Sequence, residues 1–227
     1  MIRQRDHYWQ DNMENNIEII KPSDIEAKSF EIITEELAGQ GIVLPDDKAF
    51  LIKRAIHTTA DFDYAHTLCF SEGAITRMAE LIRSGADIVT DTNMALTGIN
   101  KSVLSAYGGS VYCYMADETV ADEARERGVT RAYVSMEKAS RLPGPKIYAI
   151  GNAPTALMAL KDMYDTGIYR PDLIIGVPVG FVNVEAAKEL IMQTDIPYMI
   201  NRGRKGGSTV AAAICNAVLY EMKRGKI

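Results

Sequence analysis

Arg54 and His57 stand three residues apart in the stretch Lys53-Arg54-Ala55-Ile56-His57-Thr58-Thr59-Ala60-Asp61. On a helix this spacing places both side chains on one face, one turn apart. Arginine keeps its charge and grips carboxylates through paired N–H donors. Histidine gives or takes a proton near pH 7. Together they can hold an anion and move a proton beside it. The chain has three histidines. His7 falls in a polar N-terminal stretch. His66 follows Tyr64 in a loop-like segment and has no such cationic partner. An isolated helical histidine is more often structural than catalytic, and on the residues alone that alternative stays open for His57.

A second cationic cluster lies in the segment Arg202-Gly203-Arg204-Lys205-Gly206-Gly207-Ser208-Thr209. Gly206 and Gly207 permit close backbone approach. Ser208 and Thr209 open a helix, and a helix N-terminus attracts anions. Carboxylates or phosphates are the ligands such a loop suits. The order of a Walker A loop is absent. A solvated basic turn with a good helix cap is the plainer alternative. Thr130-Arg131 puts another guanidinium at a helix start, although a lone arginine there reads first as a surface residue. Asp61 and Asp63 could pair for acid–base work; the simpler reading is that Asp61 ends the His57 helix and Asp63 starts the next segment. Asp87 and Asp91 bracket a strand with the same ambiguity. Met94, Met115, Met136 and Met158 read as core. No Gly-X-Gly-X-X-Gly, Gly-X-Ser-X-Gly or His-Glu-X-X-His occurs, which argues against dinucleotide enzymes, α/β hydrolases and zincins.

The elements that must position these residues are legible as periodicities. Ser23 and Glu26 form a capping box after Pro22; Ile25, Phe30, Ile32, Ile33 and Leu37 supply an apolar stripe, and Gly39 is a stop. Pro45 suits the start of the helix carrying Arg54 and His57. Ser71 can cap a third helix ending near Gly85. Strand patterns follow at 87–91, 110–115, 146–150, 173–177 and 198–201, alternating with helices at about 118–127, 131–140, 154–165, 184–193 and 208–223. Strands alternating with helices form right-handed βαβ units. The expected fold is α/β: a three-layer, flavodoxin-like sandwich with a mainly parallel five-stranded sheet. Its ligands belong at the carboxyl ends of the strands.

The length of 227 residues supports a substantial core. We expect a polar tail over 1–16 and one α/β domain over 17–227. A net charge of −5 argues against general nucleic-acid or anionic-membrane binding. No apolar run approaches membrane-spanning length, and the N-terminus carries no signal-peptide core. Cys69, Cys113 and Cys215 are odd in number and far apart, with no zinc-ligand spacing. Reduced thiols in a cytoplasm are the simplest reading.

Several strings resemble the precorrin-8X methylmutase family, in particular its cobalt-precorrin-8 branch. They are Ile56-His57-Thr58-Thr59-Ala60-Asp61-Phe62-Asp63, Asp91-Thr92-Asn93-Met94-Ala95, Gly98-Ile99-Asn100-Lys101, Gly151-Asn152-Ala153-Pro154-Thr155-Ala156-Leu157, Gly176-Val177-Pro178-Val179-Gly180-Phe181-Val182 and Gly203-Arg204-Lys205-Gly206-Gly207-Ser208. The resemblance runs from about residue 17 to 222. It implies an isomerase that shifts a methyl group within ring C of a corrinoid, giving a cobyrinic-acid-type product on the way to cobalamin. It also implies a homodimer with the pocket near the subunit interface. His57 matches the catalytic histidine, the proton donor to the ring. Arg54 and Ser29 match substrate contacts. Arg131, Arg204, Lys205, the Gly206 and Gly207 amides and Ser208 suit the ring's carboxylates. No cofactor and no protein metal site is implied, since any cobalt belongs to the substrate. Ala132, Asn183 and Ala187 depart from the common pattern on the substrate-side loops. A non-catalytic tetrapyrrole carrier or pathway scaffold is the alternative, and a nucleotide-binding enzyme using the 202–209 loop is a third reading.

Overall fold

The computed structural model describes residues 20–22 and 24–227. The polar stretch 1–16, His7, the expected domain start at 17 and the Ser23 half of the capping box lie outside the described residues. The chain divides into two compact units, Met1–Gly41 and Ile42–Ile227.

The first unit contains helix α1 (Ile25–Gly39), which buries Ile33 and Leu37. Its apolar stripe is narrower than expected, because Ile25 and Ile32 are exposed.

The second unit runs α2 (Ala49–Thr59), α3 (Tyr64–Thr67), β1 (Leu68–Phe70), α4 (Ala74–Arg83), β2 (Asp87–Thr90), α5 (Asn93–Gly98), α6 (Lys101–Ser105), β3 (Val111–Tyr112), α7 (Glu118–Arg127), α8 (Arg131–Ser140), β4 (Lys146–Ile150), α9 (Pro154–Asp165), β5 (Leu173–Gly176), α10 (Val184–Met192), β6 (Tyr198–Asn201) and α11 (Ser208–Lys223). The sheet order is β1-β6-β5-β4-β2-β3. From β3 to β6 every neighbour is parallel. Leaving out β1, this is the doubly wound order of flavodoxin-like folds.

Parallel strands covered on both faces read as continuous apolar runs. Residues 147–150 and Leu173–Gly176 do so, and every residue of β4 and β5 is buried. Alternate side chains point to opposite faces. Tyr148, Ile150, Ile174 and Ile200 meet Met136 of α8, Leu157 and Leu160 of α9, and Ile191 of α10. Helices α4 and α11 pack against β4 and β5, and α11 also packs along α2. Helix α11 is deeply buried, with Val210, Ile214, Cys215, Val218 and Leu219 all inside. Among the described residues, no helix is long and apolar enough to cross a membrane.

The sheet has six strands, one more than expected. The extra strand, β1, pairs antiparallel with β6, with Leu68 opposite Asn201 and Phe70 opposite Met199. Three residues are too few to show an alternating pattern, so only the pairing partner reveals it. Ser71 does not cap α4. Gly73, at φ +67, precedes that helix. The Ser71 hydroxyl instead accepts the Tyr198 N–H at 2.9 Å, and its own N–H donates to the Tyr198 carbonyl at 3.0 Å. These bonds extend the pairing of the edge strand.

Candidate active site

Helix α2 forms because Leu51, Ile52, Ala55 and Ile56 give it one buried stripe. Arg54 is half-buried and His57 is exposed, one turn apart. The Arg54 guanidinium lies over the Tyr220 ring of α11, 6.0 Å from its centroid. This cation–π contact orients the cation along α11. The helix ends at Ala60, which turns left-handed at φ +53 and donates its N–H to Ile56 at 2.7 Å.

The turn that follows meets the second cationic feature. Lys205 Nζ lies 2.6 Å from an Asp61 carboxylate oxygen and 2.5 Å from one of Asp63. The lysine hydrogen bond holds the Asp61 carboxyl below its ordinary range. Asp61 and Asp63 are therefore an anchor rather than an acid–base pair. They fasten the end of the His57 helix to the 202–209 loop.

That loop has a defined polarity. The carbonyl of Arg202 accepts from Asn201 Nδ2 at 3.3 Å, and that of Gly203 from Lys188 Nζ at 2.7 Å. The Arg204 carbonyl accepts the Gly180 N–H at 3.1 Å. The Lys205 carbonyl accepts from Asn201 Nδ2 at 2.9 Å and Lys188 Nζ at 3.0 Å. A trans peptide is planar, so its N–H points away from its carbonyl. Four carbonyls turned inward leave the N–H groups of Gly203, Arg204, Lys205 and Gly206 turned away from those donors. These four have no backbone acceptor among the described residues. N–H groups left without a backbone partner in a turn are available to an anion.

The two glycines serve the fold more than a ligand. A Cβ on Gly206 would sit 2.1 Å from the Val177 carbonyl oxygen, and Gly207 donates its N–H to that oxygen at 2.8 Å. The Gly207 amide is therefore committed to the end of β5. The loop cations are paired at the surface. Arg202 Nε reaches Glu189 at 3.1 Å, and Arg204 Nε reaches Glu185 at 2.7 Å with its guanidinium 5.5 Å from the Phe181 ring. Exposed pairs contribute about 0–1 kcal/mol, so a ligand carboxylate can replace Glu185 at little cost.

The neighbouring strand ends, β2 and β4, form the switch point of the sheet. Asp91 is buried there and accepts N–H groups from Gly151 at 2.8 Å, Asn152 at 2.8 Å and Ala153 at 2.6 Å. Burial pushes its carboxyl up, and the three N–H bonds oppose that shift. Thr92 donates to Ser208 Oγ at 2.8 Å, and its hydroxyl oxygen caps α5 at Ala95. A Cβ on Gly151 would lie 2.8 Å from the Ser208 nitrogen. That glycine brings the N-termini of α9 and α11 together. Thr130 caps α8 and bonds Thr155 of α9 at 2.8 Å, which sets Arg131, exposed, at the α8 start. Met94 at the start of α5 and Val179, Phe181 and Val182 on the loop after β5 are exposed apolar side chains at the same edge of the sheet. Ser29 lies on α1, in the first unit, where its hydroxyl donates to the Ile25 carbonyl at 2.9 Å.

The structure thus brings the α2 end, the 202–209 loop and Ser208 together. The sequence alone does not mark Lys188, Asn201 or Thr92 as site residues, and it leaves Asp91 ambiguous. One signal was available for Lys188: it shares the i, i+3, i+4, i+7 stripe of Val184, Ala187 and Ile191, a buried face where lysine is out of place. Among the described residues, no group of three or more His, Cys, Asp or Glu could hold a metal ion.

The model of the precorrin-8X methylmutase family matches residues 24–221. This chain belongs to that family. A cobalt-precorrin-8 methylmutase of Priestia megaterium is 41% identical over 199 residues, 88% of this chain and 88% of its own length. Another, from Salmonella typhimurium, is 41% identical over 210 residues, 90% of this chain and 98% of its own. The crystal structure of a precorrin-8X methylmutase from Thermus thermophilus superposes with a TM-score of 0.79 at 35% identity, covering 90% of this chain and 100% of that one. The matched span holds all six strings that carried the resemblance. As a methylmutase of cobalamin biosynthesis, the chain is an isomerase.

Proposed function

We propose that this methylmutase moves a methyl group within ring C of cobalt-precorrin-8 or its cobalt-free counterpart, giving a cobyrinic-acid-type product, with His57 as the proton donor and acceptor. The observation that carries the reading is the joining of the His57 helix to the anion loop through Asp61, Asp63 and Lys205. The substrate is a flat apolar ring fringed with carboxylates. Its faces suit Met94, Val179, Phe181 and Val182. Its carboxylates suit Arg54, Arg131, Arg204, Ser208 and the outward amides, and Ser29 is a further contact. Lys205 joins them if a carboxylate displaces its aspartates. A net acidic protein must hold such a polyanion through local cations and amides rather than its overall field.

The chemistry is balanced. A proton given by His57 to the conjugated ring creates the electron deficiency toward which the methyl migrates. A proton then leaves the rearranged ring, and the formula is unchanged. No electrons are gained or lost, so the step asks for no redox partner, and cobalt is substrate. We place the enzyme in the cytoplasm as a homodimer, on the strength of its free thiols and the family resemblance. A purely monomeric species in sedimentation would count against the dimer.

The test is turnover of cobalt-precorrin-8, followed by the change in its visible spectrum. His57→Ala should still bind the ring and lose roughly 100- to 10,000-fold in rate. Near wild-type turnover from that variant would overturn the mechanism. Arg54→Ala should raise KM. If neither KM nor kcat moves, Arg54 is structural.

A further inference from the structure

Lys188 is fully buried, yet it carries an ammonium on the inward stripe of α10. A buried charge is costly unless dipoles replace its water. A methionine would fill the same volume without that cost. Here the dipoles are the carbonyls of Gly203 and Lys205. Asn201 and the Gly180 N–H hold the other two carbonyls of the same run. Those four carbonyls set the direction of the four N–H groups on the other side of the peptides.

We infer that Lys188 is a positioning residue for the methylmutase: its ammonium draws the Gly203 and Lys205 carbonyls inward and so aims the amides of Arg204 and Gly206 at a substrate carboxylate. This rests on the reading of the 202–209 loop as the carboxylate site. Lys188 itself touches no substrate. The charged groups around it are Glu185 and Glu189 on α10, Arg202, Arg204 and Lys205 on the loop, and Asp61 and Asp63 beyond Lys205. Burial draws its pKa down to about 8 and Glu185 opposes this, so the side chain is largely cationic at pH 7.

The experiment compares full-length wild type and Lys188→Met in steady-state turnover of cobalt-precorrin-8. It adds equilibrium titration with cobyrinic acid, a corrinoid polycarboxylate that does not react. A thermal melt first establishes that the variant unfolds cooperatively. The expected result is a KM and a cobyrinic acid Kd each raised roughly tenfold or more, with kcat within about threefold of wild type. A merely structural lysine would lower the melting temperature without that split. A folded Lys188→Met variant with wild-type KM and Kd overturns the inference. If Lys188→Met does not fold, Asn201→Ala, which removes the companion donor to the Lys205 carbonyl and the donor to the Arg202 carbonyl, decides: raised KM and Kd support the inference, and unchanged values overturn it. If wild type binds cobyrinic acid but turns over no substrate, the functional reading fails, while the titration still reports on Lys188.

Discussion

Asp91 is the one buried carboxylate among the described residues, and both its oxygens accept backbone N–H groups. Those three bonds shape the turn after β4 from which Pro154 starts α9. Asn at this position would keep one carbonyl oxygen but turn an NH₂ group toward an N–H. A buried donor left unsatisfied costs about 1–3 kcal/mol. For a protein of this size, each kcal/mol moves Tm by roughly 2–4 °C. Asp91→Asn should therefore lower Tm by several degrees; an unchanged melt would mean that the turn is held by other contacts. The residue was visible in the sequence only as the end of a strand. What it binds lies some sixty positions further on, in a turn whose composition advertises nothing about a carboxylate. Arg54 and His57 are the opposite case. Their relation is local, three positions along one helix, and so it could be read directly.

At the scale of elements, the junction between α2 and the loop after β6 matters most. Lys205 ties that loop to Asp61 and Asp63. The folded Asp61 pKa is depressed below its ordinary 3.8. Its contribution to stability is then present above pH 3.8 and is lost as pH falls through the folded value. A Lys205→Met variant should melt slightly below wild type at pH 7, since solvent screens so exposed a pair. The two melts should converge in acid once the pH is below the depressed folded value. A gap that persists there would assign the difference to packing instead. Helix ends were legible where the chain punctuates them. Thr130 caps α8, Pro154 opens α9, and Gly128, left-handed at φ +66, closes α7. The short elements α3, β1, α5 and α6 carry too few residues to show a period. They form because distant partners hold them, as Asn216 does in accepting the Asn100 N–H at 2.8 Å.

On the scale of the whole molecule, the net charge of −5 coexists with a cluster of three cations in the loop after β6, each paired with a surface carboxylate that a ligand carboxylate could replace. The doubly wound order places loops after β2, β4, β5 and β6 side by side, although they are scattered from residue 91 to residue 207 of the chain. By itself the sequence determined the α/β alternation, the five parallel strands, the principal helix ends and the family. It also determined that Arg54 and His57 stand one turn apart on one helix. All of these rest on local periodicity or on contiguous strings. Only the tertiary structure decided the antiparallel edge strand, the inward carbonyls of the anion loop, the cation beneath them and the aspartates that hold Lys205. The physical reason is separation: Asp63 and Lys205 lie 142 positions apart. A bond between such groups depends on where the sheet brings two loops, and it leaves no periodic mark in either.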